Sequence, residues 1–307
     1  MIKILLYYKY TKIENPQEIR DKQYELCKKL NLKGRILIAS EGINGTVGGS
    51  AEAVEKYMRE TESYPEFKGI EWKISDGPDD AFPRLRVVVR EEIVTLGLKR
   101  ENHDVSIEHK AQYIEPEELL ELYEKGEDFV IIDARNEYEA RIGKFKNAIY
   151  FDIDVFKDLP KQIKKIENYK DKLVVTYCTG GIRCEKFSAY LREQGFKNVR
   201  QLHGGIHRYS EITGGKNFEG LMYVFDGRVH VPVNHVNPKI ISKCEICGVE
   251  VARYKNCENA ECNKRFICCE DCEKEMNGAC SDECKPKVTY WRQKRAEKAK
   301  RKMNSRG

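Results

Sequence analysis

The segment with the strongest chemical signal places two cysteines and an arginine around a pair of glycines. It reads Cys178-Thr179-Gly180-Gly181-Ile182-Arg183-Cys184. Two glycines let successive backbone N–H groups turn inward, so such a loop holds an anion, and a helix that begins after Arg183 adds its positive end. A thiolate at the loop entrance is stabilised by these donors and by Arg183. We therefore predict that Cys178 is a nucleophile supported by the loop residues 179–183. The alternative is an inert buried cysteine at the end of a strand.

Cys184 directly follows the arginine and has two interpretations. It could act as a resolving thiol toward a persulfide or disulfide on Cys178. Alternatively, it is a buried residue in the first turn of a helix. Asp133 and Arg135 could support the same loop, but a structural ion pair explains them equally well, so they stay outside the predicted catalytic set.

A second chemical signal is a cluster of nine of the twelve cysteines near the carboxyl end. Eight of them form four short-spaced pairs, which are Cys244 with Cys247, Cys257 with Cys262, Cys269 with Cys272, and Cys280 with Cys284. Eight thiolates suit two tetrahedral metal sites of four ligands each, with zinc expected and iron compatible. The spacing leaves open whether consecutive or alternate pairs share a metal. Cys268 is the odd residue, because Cys269 makes the better C-x2-C pair.

Length and composition favour a chain of two or three domains that does not cross a membrane. The 307 residues exceed one typical domain, and a hydrophobic fraction of 40% excludes a wholly disordered chain. No apolar run approaches the roughly 18 residues of a membrane helix. The amino terminus has only a short apolar patch and no cleavage site, so we predict a cytoplasmic location in which disulfides are uncommon.

Charge is concentrated at the carboxyl end of the chain. The net charge is +5, but residues 285–307 contain ten lysines and arginines against one acid, so this tail carries +9 and the rest carries −4. A basic tail beside an acidic body predicts a polyanion partner that is reached through a flexible arm. A solvated tail that only aids solubility is the alternative.

The first hundred residues alternate strand and helix patterns in the order β-α-β-β-α-β, which is typical of ferredoxin-like and acylphosphatase-like domains. Helices are expected to begin after Asn15 and Ser50, which are capping residues. The glycine-rich stretch from Glu41 to Gly49 is expected to form a hairpin with a short strand at 46–47, with a phosphate-binding loop as the alternative. A further strand is expected at 85–89, followed by a polar connector.

Residues 113–212 are predicted to form an α/β domain that positions the segment from Cys178 to Arg183, the reactive loop. Continuous apolar runs at 129–133 and 173–177 are typical of buried parallel strands, and the second run ends at Cys178. A helix is expected from about Cys184. Functional groups lie at the carboxyl ends of such strands. The remaining chain is divided into a connector at 213–240, a metal-binding module at 241–284 and the basic tail at 285–307.

The reactive loop resembles that of the rhodanese family, in which a C-x4-R segment carries a cysteine persulfide. The matching residues include Asp133-Ala134-Arg135 with Glu139, the stretch from Gly143 to Ala148, and His203-Gly204-Gly205. Related dual-specificity phosphatases have one more residue between the cysteine and the arginine. The four residues between Cys178 and Arg183 therefore favour a guest the size of a sulfur atom.

All parts together resemble the bacterial oxygen-dependent tRNA uridine hydroxylases. The most specific matches are Glu41-Gly42-Ile43-Asn44-Gly45-Thr46, the segment from Cys178 to Lys186, and the cysteine pairs. The resemblance implies a multidomain α/β and α+β protein that uses O₂ as co-substrate to convert the wobble uridine, position 34, of tRNA to 5-hydroxyuridine. It also implies that Cys178 is essential and passes through a persulfide. The reductant and any protein partner are not implied.

Two other functions fit parts of the sequence. A sulfurtransferase that uses thiosulfate or a persulfide and acts on tRNA or a protein would need only the Cys178 loop. A non-catalytic RNA-binding adaptor would need only the metal module and the basic tail. The chain has no dinucleotide fingerprint and only six histidines, so the sequence does not indicate how O₂ is activated.

Overall fold

The computed structural model describes the backbone of residues 1–304 and the side chains of residues 1–99 and 102–295. Within these residues the strands form sheets of five, four, three and two strands. None of the described helices combines the length and the apolar character that crossing a membrane requires.

The amino-terminal domain is a five-stranded sheet with two helices on one face. Its elements are β1 Ile2–Tyr10, α1 Pro16–Lys29, β2 Lys33–Ala39, β3 Gly42–Gly49, α2 Ala51–Glu62, β4 Glu71–Gly77 and β5 Leu85–Val89. The strand order is β4-β1-β3-β2-β5, with β5 parallel to β2. As predicted, α1 and α2 begin at Asn15 and Ser50, whose side chains accept backbone N–H groups three residues later. Neither α1 nor α2 covers the opposite face of the sheet, which is called its free face.

The glycine-rich segment forms the central strand β3 and no loop, so the alternative of a phosphate-binding loop is wrong. The strand pairs along its length with both β1 and β2. A Cβ atom at Gly45 would lie 2.3 Å from the ring of Tyr7, which shows why this position has no side chain. The glycines therefore allow close packing inside the sheet.

The central domain is a parallel sheet with helices on both faces. Its elements are β6 Gln112–Ile114, α3 Pro116–Lys125, β7 Phe129–Asp133, α4 Glu137–Ile142, β8 Gly143–Phe145, β9 Leu173–Tyr177, α5 Ile182–Glu193, β10 Asn198–Leu202 and α6 Gly205–Thr213. A 3-10 helix, Phe156–Tyr169, precedes β9. The order β6-β10-β9-β7 places β9 inside the sheet. Two apolar clusters, one on each face, explain the continuous apolar runs.

The helix after the reactive loop begins two residues earlier than predicted. Gly181 precedes it with φ of 103°, in the left-handed region, and the helix starts at Ile182. Arg183 and Cys184 therefore lie in its first turn.

Residues 213–240 are not a simple connector, in contrast to the prediction. They contain β11 Phe218–Tyr223 and β12 His230–Pro232, and β11 pairs antiparallel with both β12 and β8. The ring of Phe218 packs edge-on against Phe145 at 5.4 Å between centroids. Short strands interrupted by glycine give a weak sequence pattern, which explains the difference.

The carboxyl-terminal elements are β13 Tyr254–Asn256, β14 Arg265–Ile267, α7 Glu270–Glu275 and α8 Lys285–Asn304. The tail predicted to be a flexible arm is the helix α8, and residues 305–307 of that tail lie outside the described residues. Val288 is fully buried, and Arg292 Nε donates to Glu258 Oε2 at 2.8 Å. These contacts attach the start of the basic helix to the cysteine-rich module.

Candidate active site

The reactive loop is held between the ends of two helices. Cys178 directly follows β9, and its carbonyl oxygen accepts the backbone N–H of Ile206 at 3.0 Å. The next carbonyl, that of Thr179, accepts the N–H of His207 at 3.1 Å. Gly205 has φ of 66°, and a Cβ atom there would lie 2.5 Å from the Cys178 carbonyl oxygen. The start of α6 therefore fixes the loop from one side while α5 begins on the other.

The surroundings of Cys178 favour a thiolate. The backbone N–H of Gly181 donates to Cys178 Sγ at 3.2 Å. Burial of the side chain raises its pKa, but three influences outweigh burial: a hydrogen bond from Cys184, the positive charge of Arg183, and backbone N–H groups of Arg183 and Gly181. The resulting pKa is about 6, so the thiolate predominates at neutral pH. Burial and the hydrogen bond with Cys178 raise the pKa of Cys184, which keeps its proton.

The guanidinium of Arg183 is engaged by a carboxylate. Its two terminal nitrogens donate to Glu139 Oε2 and Oε1 at 2.6 and 2.7 Å, and both side chains are buried. Arg183 therefore acts on Cys178 through its charge and its backbone N–H, while its side-chain fork holds Glu139. The sequence marked Glu139 only as part of a resemblance and assigned it no partner.

Asp133 and Arg135 form a fully buried ion pair behind the loop. Arg135 Nη2 lies 2.7 Å from Asp133 Oδ2, and the hydroxyl of Tyr177 donates to the same oxygen at 2.7 Å. Arg135 also donates to the carbonyl of Gly143. These contacts connect β7, β9 and β8. They fit the interpretation of Asp133 and Arg135 as a structural ion pair.

A cavity of about 860 Å³ borders the reactive loop. Its walls come from three parts of the chain: the free face of the amino-terminal sheet, the loop with the start of α5, and the segment of β11 and β12. Cys178 borders it together with apolar side chains such as Leu6 and Val233. Polar groups include Asn44, Ser210 and Arg228. This size and lining are typical of sites for small ligands or single nucleotides.

The sequence analysis missed Tyr8 and His207, which line this cavity, and the polar side chains that surround Tyr8. Lys73 is 7% exposed, its ammonium lies 5.5 Å from the ring centroid of Tyr8, and burial is the main reason for its lowered pKa. His207 borders the cavity, and burial is likewise the main cause of its lowered pKa, so the neutral imidazole is favoured. Tyr8 and Tyr113 both donate to Glu185 Oε1, at 3.1 and 2.5 Å. The first of these bonds joins residues 177 positions apart, which no local sequence pattern reveals.

The structure brings the eight paired cysteines together in two groups, which combine alternate pairs. One group contains Cys244, Cys247, Cys269 and Cys272, and the other contains Cys257, Cys262, Cys280 and Cys284. Within each group all sulfur atoms lie within 4.8 Å of one another. The ninth cysteine, Cys268, belongs to neither group, and its Sγ donates to the carbonyl of Cys269.

The sulfur separations fit single metal ions. They are 3.7 Å between Cys247 and Cys269 and 3.6 Å between Cys262 and Cys280. Four ligands at about 2.3 Å from a tetrahedral ion lie roughly 3.8 Å apart. An iron–sulfur cluster places several atoms of its own between the cysteines and would need wider spacing. Each group can therefore hold one tetrahedral ion.

Three family models match the chain in sequence. They are the UPF0176 acylphosphatase-like domain at residues 2–93, the rhodanese-like domain at 115–212 and the rhodanese C-terminal region at 219–285. Together with the two cysteine groups, these matches confirm the predicted fold class. The region at 219–285 spans most of the predicted connector and the whole cysteine-rich module.

Curated relatives match over nearly the whole chain. One from Cytophaga hutchinsonii is 47% identical over 282 residues, which is 92% of this chain and 89% of the relative. Relatives from Bacillus mycoides and Enterococcus faecalis are each 46% identical with the same coverage. All three are named tRNA uridine(34) hydroxylase.

Solved structures resemble single parts of the chain. A rhodanese-like domain protein from Staphylococcus aureus is 23% identical, with a TM-score of 0.29, and covers 32% of this chain and 90% of its own. The acylphosphatase from Bacillus subtilis is 13% identical, with a TM-score of 0.25, and covers 29% of this chain and 99% of its own.

Proposed function

The chain belongs to the tRNA uridine(34) hydroxylase family, and from this premise we propose that it converts uridine 34 of tRNA to 5-hydroxyuridine in the cavity beside Cys178. The family predicted from sequence motifs is thereby confirmed. The observation that carries the proposal is the placement of an activated cysteine on the wall of a cavity large enough for a nucleotide. A wobble base is unpaired in free tRNA, so it can enter such a cavity without the opening of a duplex.

We propose that Cys178 is the catalytic nucleophile and carries a persulfide sulfur during the reaction. It takes this sulfur from a donor persulfide, whose S–S bond breaks as the new S–S bond forms and which leaves as a thiol. The loop residues Thr179, Gly180, Gly181, Ile182 and Arg183 are proposed to hold the anionic sulfur, with the backbone N–H groups of Gly181 and Arg183 and the charge of Arg183 acting on it directly. Cys184 donates its proton toward Cys178, which is also the contact that a resolving thiol would need. Neutral His207 borders the same cavity and can accept the proton that leaves C5 of the base.

With O₂ as the co-substrate, one oxygen atom enters the base and replaces the hydrogen at C5 by a hydroxyl group. The other oxygen atom leaves as water, which requires two electrons and two protons from a reductant. A small thiol or a persulfide is the chemical class that suits a cysteine site.

The two cysteine groups are proposed to bind one Zn²⁺ each. Their sulfur spacing suits a tetrahedral ion, and zinc supplies structural stability without redox chemistry. A module with few buried apolar residues gains much of its folding free energy from such ions. The basic helix α8, attached to this module, is proposed to bind tRNA phosphates. Free thiols and a tRNA substrate both favour a cytoplasmic location.

The test is incubation of unmodified tRNA with the full-length protein and its reductant, with and without O₂, followed by nucleoside mass spectrometry. The wild type is expected to form 5-hydroxyuridine only with O₂, and Cys178→Ser is expected to form none. Cys27→Ala, which changes a thiol in the core of the amino-terminal domain, is the matched control and should retain activity. Full activity of Cys178→Ser would overturn the catalytic role of this residue and favour a non-catalytic RNA-binding protein.

A sulfurtransferase is the second candidate, favoured by the rhodanese-like match and by the N–H donors around Cys178 Sγ. It predicts rapid sulfur transfer from thiosulfate to cyanide by the purified protein without RNA. Such turnover in the absence of any hydroxylation would favour this candidate.

A further inference from the structure

The amino-terminal sheet carries a cluster of cations at one edge, on the face that borders the active-site cavity. The cluster consists of Lys33, Arg35, Arg84, Arg86 and Arg90, and all five are exposed. Along β2 the side chains alternate, so Ile36 and Ile38 pack under the helices while Lys33 and Arg35 face the other way. Arg35 lies beside Arg86 in the parallel register, which places both on the same face.

Together the five cations form a row along β2 and β5, and residues at both ends of the edge strand β5 belong to it. The N–H of Gly34 donates to the carbonyl of Arg84, and the N–H of Arg90 donates to the carbonyl of Ile38. Both residues therefore extend the ladder, and Arg84, Arg86 and Arg90 all occupy even positions along it. Alternate residues of a strand are about 6.6 Å apart, so Arg84 and Arg86 match the spacing of successive phosphates along an RNA strand, and Arg86 and Arg90, with Val88 between them, match about twice that spacing.

No acidic side chain in the described part of the chain forms an ion pair with any of the five cations. Partial burial against the sheet lowers the pKa of Arg35, and the charges of Arg86 and Arg90 lower it further. By contrast, on the helix-covered side Lys22 pairs with Glu18 and Arg20 pairs with Asp21. Several like charges close together without counter-charges repel one another and attract an anionic partner.

The position of the row indicates what that partner is. Arg35 lines the same cavity as Cys178, so the row runs from the rim of the cavity outward along β5. A strand whose base enters the cavity must pass its backbone over this rim. The row is only two strands wide and its cavity admits only an unpaired base, so it suits one RNA strand better than a duplex.

We propose that Arg35, Arg86 and Arg90 bind the phosphodiester backbone of the tRNA loop strand that delivers the target uridine to the cavity. This inference rests on the proposed function for the identity of the base. It adds a docking surface on the amino-terminal domain, apart from the basic helix α8. Phosphate contacts of this kind position the substrate and do not read its sequence.

The test measures the affinity of the full-length protein for an unmodified tRNA transcript with uridine 34 at several salt concentrations. The double variant Arg86→Gln/Arg90→Gln is expected to bind about tenfold more weakly at low salt. Its slope of log affinity against log salt should fall by about 1.4, because each single-strand phosphate contact contributes roughly 0.7. Arg86→Lys/Arg90→Lys keeps the charges and should retain most of the affinity and the slope.

The matched control is Lys29→Gln/Arg59→Gln, which removes the same charge from exposed positions on α1 and α2, across the sheet. This control should bind tRNA like the wild type. Equal losses in both glutamine doubles, or no loss in Arg86→Gln/Arg90→Gln, would overturn the inference. A fully paired RNA duplex with the same number of phosphates should show little dependence on the arginines, and equal dependence would contradict the assignment to a single strand.

Hydroxylation assays on the same proteins separate this inference from the proposed function. If the wild type forms no 5-hydroxyuridine while tRNA binding still depends on the arginines, the proposed function fails and the docking surface stands. If the wild type hydroxylates tRNA and Arg86→Gln/Arg90→Gln has an unchanged KM and affinity, the docking surface fails and the function stands.

Discussion

At the scale of single residues, the site depends on two adjacent thiols with opposite protonation. Cys178 is a thiolate at neutral pH because donors and positive charge outweigh its burial, whereas Cys184 keeps its proton because burial and the neighbouring thiolate both oppose its loss. The sequence placed these two residues together but could not indicate which one ionises. That assignment depends on the direction of the Gly181 N–H and on the charge and backbone N–H of Arg183.

The first prediction concerns the hydrogen bond from Cys184. In the wild type, the rate of alkylation of Cys178 should rise with pH through about 6, because only the thiolate reacts. Removing the donor in Cys184→Ala should move this midpoint upward by about one pH unit or more, since a hydrogen bond to a charged group contributes roughly 1.5 to 3 kcal/mol. Cys184→Ser keeps a donor and should shift it less. Peptide mass spectrometry after pulse alkylation gives the rates.

The same variants test the two roles of Cys184. If it is only a donor, Cys184→Ser should retain repeated turnover of tRNA hydroxylation. A single turnover followed by arrest would instead identify a resolving thiol. The lowered pKa of Cys178 also stabilises the fold at pH above the value of a free thiol, and this contribution is lost as the pH falls through about 6.

A second prediction concerns the buried pair of Arg183 and Glu139. Glu139→Gln leaves the Arg183 guanidinium buried without its counter-charge, so the free energy of unfolding should fall by about 3 to 5 kcal/mol. Glu121→Gln breaks a solvent-exposed pair with Lys125 and should lower the free energy of unfolding far less. Urea unfolding followed by circular dichroism measures both. Similar losses in the two variants would contradict the role assigned to the buried pair.

At the scale of elements, local patterns predicted most of the fold and failed where distant segments meet. The capping residues Asn15 and Ser50 and the apolar run before Cys178 act within a few residues, so the sequence revealed them. The combination of alternate cysteine pairs depends on how β13, β14 and α7 fold back, and spacing alone left it open. The strand β11 was missed because its partner β8 lies more than seventy residues earlier, and β12 was missed with it because it pairs with β11.

The cysteine-rich module provides the third prediction. The full-length protein should contain about two zinc ions per chain by mass spectrometry of metals. Cys247→Ser and Cys257→Ser should each lose about one ion, from different groups, whereas Cys268→Ser should keep both. A strong chelator should unfold the module, because its metals replace an apolar core. Loss of metal in Cys268→Ser alone, or two ions in both ligand variants, would contradict the two groups.

At the scale of the whole molecule, the cavity exists only because separate parts of the chain are held together. Lys186, in the helix that follows the reactive loop, is buried between two carboxylates of the amino-terminal part. Its Nζ lies 2.8 Å from Glu41 Oε1 and 2.6 Å from Glu92 Oε2. The backbone N–H of Ile93 also donates to Glu41. This network connects the sheet that forms one wall of the cavity to the helix that carries the loop.

The final prediction tests this connection with Lys186→Met. The substitution leaves Glu92 buried without a cation and leaves Glu41 paired only with Lys99, at 3.5 Å, so the interface should weaken. Calorimetry should then show separate unfolding of the amino-terminal and central domains. Hydroxylation of tRNA should fall at least about tenfold, because one wall of the cavity is displaced. A loss of about 1.4 kcal/mol of transition-state stabilisation is enough for a tenfold lower rate. Alkylation of Cys178 should keep its midpoint near pH 6, since its hydrogen-bond donors lie within the central domain.

Lys165→Met, at an exposed position of the 3-10 helix, should change none of these measurements. If Lys186→Met kept both cooperative unfolding and full hydroxylation, the network would not hold the cavity together.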